Sequence, residues 1–432
     1  MADLRITNVT LPSGIHTDLG VRAGRLADPQ ALTRPQMIDA SGLIALPGLV
    51  DLHTHLREPS SGGPLAETVA TGTAAAAHGG FTAVFAMANT NPVCDTAEKV
   101  RSLLRRARTA NAEVVPVGAI TAGLLGGELS QIEAMHAEGV TYFSDDGRCV
   151  MDAGVMRQAL LTIGLFGGVA AQHAQDHCLA GDQACFPDEV FSDKAGQGSC
   201  VSPECWPWAA ESVIVARDAQ LGLDTGAHVH VCHVSTAESV DVIRWAKARG
   251  IPITAEVTPH HLYLGSELLA SRDTRYKVNP PLRGSEDRDA VRQALADGTI
   301  DVVATDHAPH LWVDKDKPFP EAKPGMVGLE YALGVVIETM VNSGLLDWEG
   351  VADRMSHAPA RIGQISDRQG RPLEIGEPAT LTLIDPSRRT VVDKNSSMSM
   401  GRNNPYDGMD LPDPVVMTLW NGRVTYRDPI LS

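Results

Sequence analysis

Eight times along this chain an apolar, β-like run ends in polar or ionisable residues. Gly42 to Val50 leads into Asp51-Leu52-His53-Thr54-His55, Gly80 to Met87 into Ala88-Asn89-Thr90, and Glu113 to Ile120 into Thr121. Val140 to Phe143 leads into Ser144-Asp145-Asp146-Gly147, Gly168 to Gln172 into His173, and Ala227 to Cys232 into His233-Val234-Ser235. Pro252 to Val257 precedes Thr258-Pro259-His260-His261, and Ile300 to Thr305 precedes Asp306-His307. Between most of these runs lie Ala-, Leu- and Arg-rich stretches of helical character: Thr96 to Ala112, Ala153 to Leu165, Glu204 to Gly222 and Ser285 to Asp297. The alternation predicts an α/β fold, a closed (β/α)8 TIM-like barrel with catalytic groups at the C-terminal ends of its strands. The polar residues fall at those ends.

Alternate side chains of a strand share a face, so His53 and His55 point together and can grip one metal ion. A lone His-x-His is equally compatible with two ordinary polar residues, and the other strand ends decide the matter. They add Asp146, His173, His233 and Asp306, giving four imidazoles and two carboxylates. One zinc takes three protein ligands and an open position, so six ligands suit two ions with a shared bridge. Many enzymes of this architecture bridge their metals with a carboxylated lysine from the fourth strand, but no lysine lies between Lys99 and Lys194. The fourth run offers Asp145-Asp146 instead. An aspartate bridges without modification, and strand alternation lets only one of the two face the barrel mouth.

Composition limits the remaining classes. The net charge of −17 argues against nucleic acid, though not against one local arginine for an anionic substrate. No apolar stretch approaches the roughly 18 residues of a membrane span, and Met1-Ala-Asp-Leu-Arg-Ile6 carries no signal-peptide pattern. Seven cysteines without Cys-x-x-Cys spacing, the closest pairs being Cys178/Cys185 and Cys200/Cys205, point to reduced thiols and a cytoplasmic protein. Short β-like runs at both ends, from Leu4 to Asp39 and from Ala379 to Tyr426, predict one small β-domain made by both termini. The expected division is 1–44 and 366–432 for that domain and 45–365 for the barrel. The Pro- and Lys-rich stretch 310–325 shows no helical or strand period and is expected to be a functional loop, a lid over the barrel mouth.

Taken together, Pro47 to Pro59, Ala75 to Thr82, Met87 to Thr90, Phe143 to Gly147, His233 to Thr236, Thr258 to His261, Asn279 to Arg283 and Ala304 to His310 resemble dihydroorotase, in its longer bacterial type among the cyclic amidohydrolases. The resemblance covers essentially the whole chain. It implies two zinc ions per chain, held by His53, His55, Asp146 as bridge, His173, His233 and Asp306. It also implies substrate contacts from His55, Arg57, Asn89, Asn279 and His310, with Pro324 and Gly325 closing the loop. The implied activity is the reversible cyclisation of N-carbamoyl-L-aspartate to L-dihydroorotate in pyrimidine biosynthesis, with Asp306 as general base and then acid. The partners it implies are further copies of the chain in a homo-oligomer and aspartate transcarbamoylase. Two positions depart from the family pattern: Ala88 replaces the proline of Met-Pro-Asn-Thr, and His173-Ala174-Gln175-Asp176 stands where His-Cys-Glu-Asp is usual. A hydantoinase or allantoinase would share the barrel but usually keeps the bridging lysine. A non-catalytic dihydroorotase-like partner of the transcarbamoylase would have lost ligands that this chain retains. His228 and His230 are expected to be packed or supporting groups, and one of His260 and His261 to line the site.

Overall fold

The computed structural model describes residues 3–61, 63–180 and 206–431. Cys185, Cys200, Cys205 and the first residues of the helix expected from Glu204 lie outside them. The expected barrel is present. Strands β1 (Leu49–Thr54), β2 (Phe81–Ala86) and β3 (Glu113–Pro116) form one parallel sheet. Strands β4 (Tyr142–Ser144), β5 (Val169–Gln172), β6 (His228–Val231), β7 (Ile253–Val257) and β8 (Val302–Val303) form a second. Single bridges, Gly118 to Phe143 and Thr54 to His307, join the two sheets at both edges and close the ring.

These segments become strands because both of their faces are covered. β1, β2 and β4 to β8 are buried at nearly every position, as parallel strands between a packed interior and a helical coat must be. Val50, Leu52, Phe85, Val115, Tyr142 and Val302 fill the interior. Helices follow the strands, among them Val69–His78, Ala97–Arg106, Ala153–Gly164, Trp208–Thr225, Ala237–Ala248 and Ser285–Asp297. Thr68, Thr96, Asp152 and Thr236 cap four of them by accepting from exposed backbone N–H groups of the first turn. Two expected elements are shorter than the sequence pattern. The run from Glu113 to Ile120 is strand only to Pro116, and the stretch from Thr96 leaves the α-helix at Arg106 for a 3-10 turn, Ala107–Thr109.

A second sheet carries strands from both termini. Leu4–Thr10, His16–Arg22, Arg25–Ala27, Gln36–Asp39 and Ile44–Pro47 pair with one another and then with Leu381–Ile384, Val415–Trp420 and Arg423–Arg427. The chain passes from this sheet into β1 through Gly48, where a Cβ would meet Thr82 Oγ1 at 2.3 Å and Thr380 Cγ2 at 2.9 Å. Only glycine allows the sheet to lie so close to the barrel there. Among the described residues no helix is long and apolar enough to cross a membrane.

Candidate active site

The C-terminal ends of β1, β4, β5, β6 and β8 converge on one buried cluster. His53, His55, Asp146, His173, His233 and Asp306 are all at most 6% exposed. Asp146 sits at its centre: Oδ1 lies 3.2 Å from His53 Nε2, 3.3 Å from His173 Nδ1 and 3.4 Å from His233 Nε2, and Oδ2 lies 3.3 Å from His55 Nε2. Asp306 Oδ1 closes the ring at 3.0 Å from His55 Nε2 and 3.5 Å from His53 Nε2. The ligand atoms fall into two triads, His53/His55/Asp146 and Asp146/His173/His233, which share Asp146.

Strand geometry delivers some of these groups and local bends deliver the others. His53 and His55 share a face of β1 as alternation requires. His233 has φ 33° and Asp306 φ 45°, left-handed values that a non-glycine residue adopts only when its surroundings fix it. For Asp306 the fixing is visible. The buried carboxylate of Asp51 accepts from Thr305 N–H at 2.8 Å, from Thr305 Oγ1 at 2.6 Å and from the Thr54 hydroxyl. On the other side of Asp306, the His307 carbonyl accepts from His55 N–H at 2.9 Å. Burial raises the Asp51 carboxyl to about 6, with the two threonine bonds opposing the rise.

Three of the four rings are held by their other nitrogen. Glu256, wholly buried on β7, accepts from His53 Nδ1 at 2.6 Å and from His230 Nε2 at 3.1 Å. Burial would raise the Glu256 carboxyl, yet the two histidines bring it down to about 2, so it is an ionised acceptor. Asn89 Oδ1 accepts from His55 Nδ1 at 2.8 Å while its amide nitrogen donates to the Asp146 carbonyl at 3.2 Å. Gln175 Oε1 accepts from His173 Nε2 at 2.8 Å, so the family-atypical glutamine still fixes that ring. Three lone pairs therefore face the cluster: His53 Nε2, His55 Nε2 and His173 Nδ1.

These residues fit divalent cations. His53 Nε2 is buried without a hydrogen-bond partner, and His173 Nδ1 and His233 Nε2 converge to 2.9 Å of each other beside Asp146 Oδ1. Burial depresses the His53 ring, but Asp146 and Glu256 outweigh it and lift its proton affinity well above the usual range. The field that draws a proton onto His53 is the field a metal ion would meet. A donor set of imidazoles and carboxylates is one that zinc accepts.

Above the cluster lies a cavity of ≈ 230 Å³ lined by Arg57, Asn89, Asn279, His310, Pro324 and Gly325 together with the cluster itself. Of the residues expected from sequence, all but His53 line this cavity, and His53 lies beneath it. Arg57 does not pair with Glu58, whose carboxylate instead takes Arg106 at 2.9 Å and Val69 N–H at 2.9 Å. The Arg57 Nε–H donates to the Pro309 carbonyl at 3.2 Å. Burial lowers its pKa, opposed by Asp306 and Asp146. Asn279 donates to Gln175 Oε1 at 3.2 Å. His310 Nε2–H donates to the Pro324 carbonyl at 2.8 Å, and burial and Arg57 hold its ring neutral, far below the usual histidine range. Gly325 has φ 139°, and a Cβ there would meet His310 Nε2 at 2.7 Å. Glycine is needed for the backbone to come this close.

Several supporting groups escape sequence reasoning. Asp145 is no simple turn residue: it accepts from Ile120 N–H at 2.7 Å, Thr121 N–H at 2.9 Å and the Thr121 hydroxyl, turned away from Asp146's cluster. Glu256 carries a signal that was readable, a lone carboxylate inside an apolar parallel strand. Neither His260 nor His261 lines the cavity: His261 is held by Thr258 Oγ1 at 2.8 Å and the Pro280 carbonyl at 3.2 Å, and His260 is buried beside it. The stretch 310–325, expected to lack helical order, contains a helical turn at Trp312–Lys315.

Comparison with known proteins follows the same line. A family model described as "Dihydro-orotase-like" matches residues 42–239. A protein of Streptomyces coelicolor named Dihydroorotase is 54% identical over 92% of this chain and 91% of its own. One from Leifsonia xyli subsp. xyli with the same name is 50% identical over 98% and 96%. Among solved structures, the L-hydantoinase (dihydropyrimidinase) of Arthrobacter aurescens superimposes with a TM-score of 0.86 at 25% identity, covering 99% of this chain and 96% of that one.

Proposed function

We propose that this chain, which belongs to the dihydroorotase family of cyclic amide hydrolases, interconverts N-carbamoyl-L-aspartate and L-dihydroorotate as a two-zinc cytoplasmic enzyme of pyrimidine synthesis. One observation carries the reading: Asp146 is shared by two buried ligand triads directly beneath a cavity lined by Arg57. His53, His55 and Asp306 would hold one ion, His173 and His233 the other, and Asp146 both. When bound, such a pair polarises a carbonyl and makes water a competent nucleophile near neutral pH.

The chain's own residues account for the rest. Arg57 offers a planar guanidinium to the ring carboxylate, and its burial strengthens that pairing by keeping water away. Asp306 lines the cavity and is ionised, because His55 and His53 overcome the effect of burial and hold its carboxyl well below the usual range. It can therefore take a proton from the attacking water and deliver it to the departing amide nitrogen. Pro324 and Gly325 roof the cavity, and the loop that bears them excludes water during the reaction.

The test measures bound zinc and the cyclisation of carbamoyl-aspartate in one preparation, with and without chelator. Two zinc ions per chain with chelator-sensitive turnover support the reading, and a metal-loaded protein without turnover defeats it. The structural likeness to an L-hydantoinase gives a second reading, in which uncharged hydantoins are substrates. Arg57 speaks against it, since a neutral ring offers no anion to a half-buried guanidinium at the cavity wall. Comparable efficiency on hydantoins would favour it.

A further inference from the structure

A second cavity, of ≈ 400 Å³, lies against the first, and His310 lines both. Asn403 lines the second cavity and ties the two together: its Oδ1 accepts from His310 N–H at 3.0 Å, and its Nδ2 donates to the carbonyls of Ala308 at 2.9 Å and Gly325 at 3.0 Å. Six cationic side chains stand around this second cavity, Arg272, Arg275, Lys315, Lys317, Lys394 and Arg402, against the carboxylates of Asp273 and Asp316. The chain as a whole carries −17, so this concentration of positive charge runs against its surroundings.

Part of that charge is balanced locally. Arg275 pairs with Asp273 at 2.6 Å and with Asp407 at 3.1 Å, and Lys394 meets the same Asp407 at 3.1 Å. The rest is held differently. Lys315 is 5% exposed and donates to the carbonyls of Lys323 at 2.9 Å, Gly325 at 3.1 Å and Lys277 at 3.3 Å. Arg402 donates to the carbonyls of Ser399 and of Gly401, the latter at 3.0 Å. Carbonyls satisfy the hydrogens of these two groups but cancel neither the charge of Arg402 nor that of Lys315 while it is protonated. Lys317 stands exposed on the rim. A concave site with surplus positive charge and one wall in common with the reaction cavity suits a small anion bearing more than one negative charge.

We propose that this second cavity is a capture subsite for the open-chain dicarboxylate, which it holds at the mouth before the molecule passes His310 into the reaction cavity. The inference rests on the function proposed above. A dianion approaching a chain of −17 feels at long range a field screened within about 8 Å at physiological salt. At the mouth it meets the local excess of cations instead. Such focusing raises encounter rates by roughly 10- to 1,000-fold. The ring form carries one carboxylate and gains less.

The experiment compares Lys317→Gln/Lys394→Gln with a charge-matched control, Arg157→Gln/Arg244→Gln, whose residues pair with surface aspartates far from the mouth. At low salt KM for carbamoyl-aspartate should rise roughly tenfold in the first variant and KM for dihydroorotate clearly less, while kcat/KM falls by one common factor in both directions because they share one equilibrium constant. The control should match the parent, and the difference should vanish near 1 M salt. Inorganic phosphate should compete with carbamoyl-aspartate in the parent and several-fold more weakly in the first variant. Equal salt dependence in the two variants overturns the inference, as do equal rises of KM for both compounds or phosphate inhibition that is the same in parent and variant. A parent that turns over neither compound defeats the proposed function, and this inference falls with it.

Discussion

Around the metal cradle, buried carboxylates accept from histidine rings and backbone amides, whereas across the mouth two buried ammoniums donate to the carbonyls of a loop. On the first side Glu256 and Asp51 each bind groups from two different strands or strand ends, and Asp145 ties the end of β4 to that of β3. On the second, Lys315 holds Lys323 and Gly325, and Lys277 holds Phe319 at 2.9 Å and Pro320 at 2.7 Å. Ionised acceptors that tie strands together make a frame whose parts cannot move separately. Ammoniums bonded to carbonyls of one loop fasten something that can be let go. The lesson is that rigidity and release are assigned to opposite signs of buried charge.

The contrast breaks most readily at the shared ligand. Asp146→Ala should lose most bound metal, measured by elemental analysis, and lower turnover by roughly 10³-fold or more, while the fold persists. Asp145→Ala should do the reverse: metal retained, but unfolding free energy reduced by about 1–3 kcal/mol because buried N–H groups lose their acceptor. If Asp145→Ala also empties the cradle, the two aspartates are not separate in role. Next in size, Arg57→Met should cost roughly 10²- to 10³-fold in kcat/KM on dihydroorotate with metal content near that of the parent. Full activity of this variant would remove Arg57 from substrate binding.

Glu256→Gln sharpens the cradle side further. A neutral amide in place of the ionised partner of His53 should weaken metal binding about 10- to 100-fold, read by competition with a chromophoric chelator. An unchanged affinity would show that the His53 ring needs no anion behind it.

The smallest effect belongs to the loop. Lys315→Met should raise KM a few-fold and speed proteolysis at Lys317 or Lys323, with metal content untouched. Burial, then the neighbouring Lys277, push the Lys315 ammonium down to about 7, with Asp273 opposing. As pH rises through that value the ammonium loses a proton, and two N–H groups are left for three carbonyls. Cleavage of the loop should therefore be faster at pH 8 than at pH 6, relative to Lys315→Met. Global stability moves the other way. The unfolded lysine keeps its proton up to about 10.4, so between pH 7 and that value the unfolded chain binds more protons and stability rises with pH. Loop cleavage with no such trend would mean that Lys315 is not the fastening.

The sequence displays the barrel because its parallel strands are buried on two faces and end in polar groups. It displays His53 and His55 because alternation is a local rule. It shows His233 less directly: counting by twos sets it on one face with Val229 and Val231, and only the turn at φ 33° brings its ring to Asp146. Strand ends were misjudged where Pro116 and Gly118 interrupt an apolar run, since apolar character continues after the pairing stops. Asn89 lines the cavity as expected of a substrate contact, and its brace on His55 was not legible because it depends on which strand ends meet across the barrel. Lys315 and Lys277 gave no signal, because a lysine in a charged, proline-rich stretch looks solvated until the loop folds back over it.

The sheet shared by the two termini has a consequence for the order in which the molecule can be made. Ile44–Pro47 pairs along its whole length with Leu381–Ile384, so more than three hundred residues must leave the ribosome before that hydrogen-bonding edge finds its mate. Until then the edge that feeds directly into β1 stays open to pairing with any other extended chain. The growing polypeptide thus carries an open edge beside the first strand of the barrel, and a strand made after the whole barrel removes that hazard.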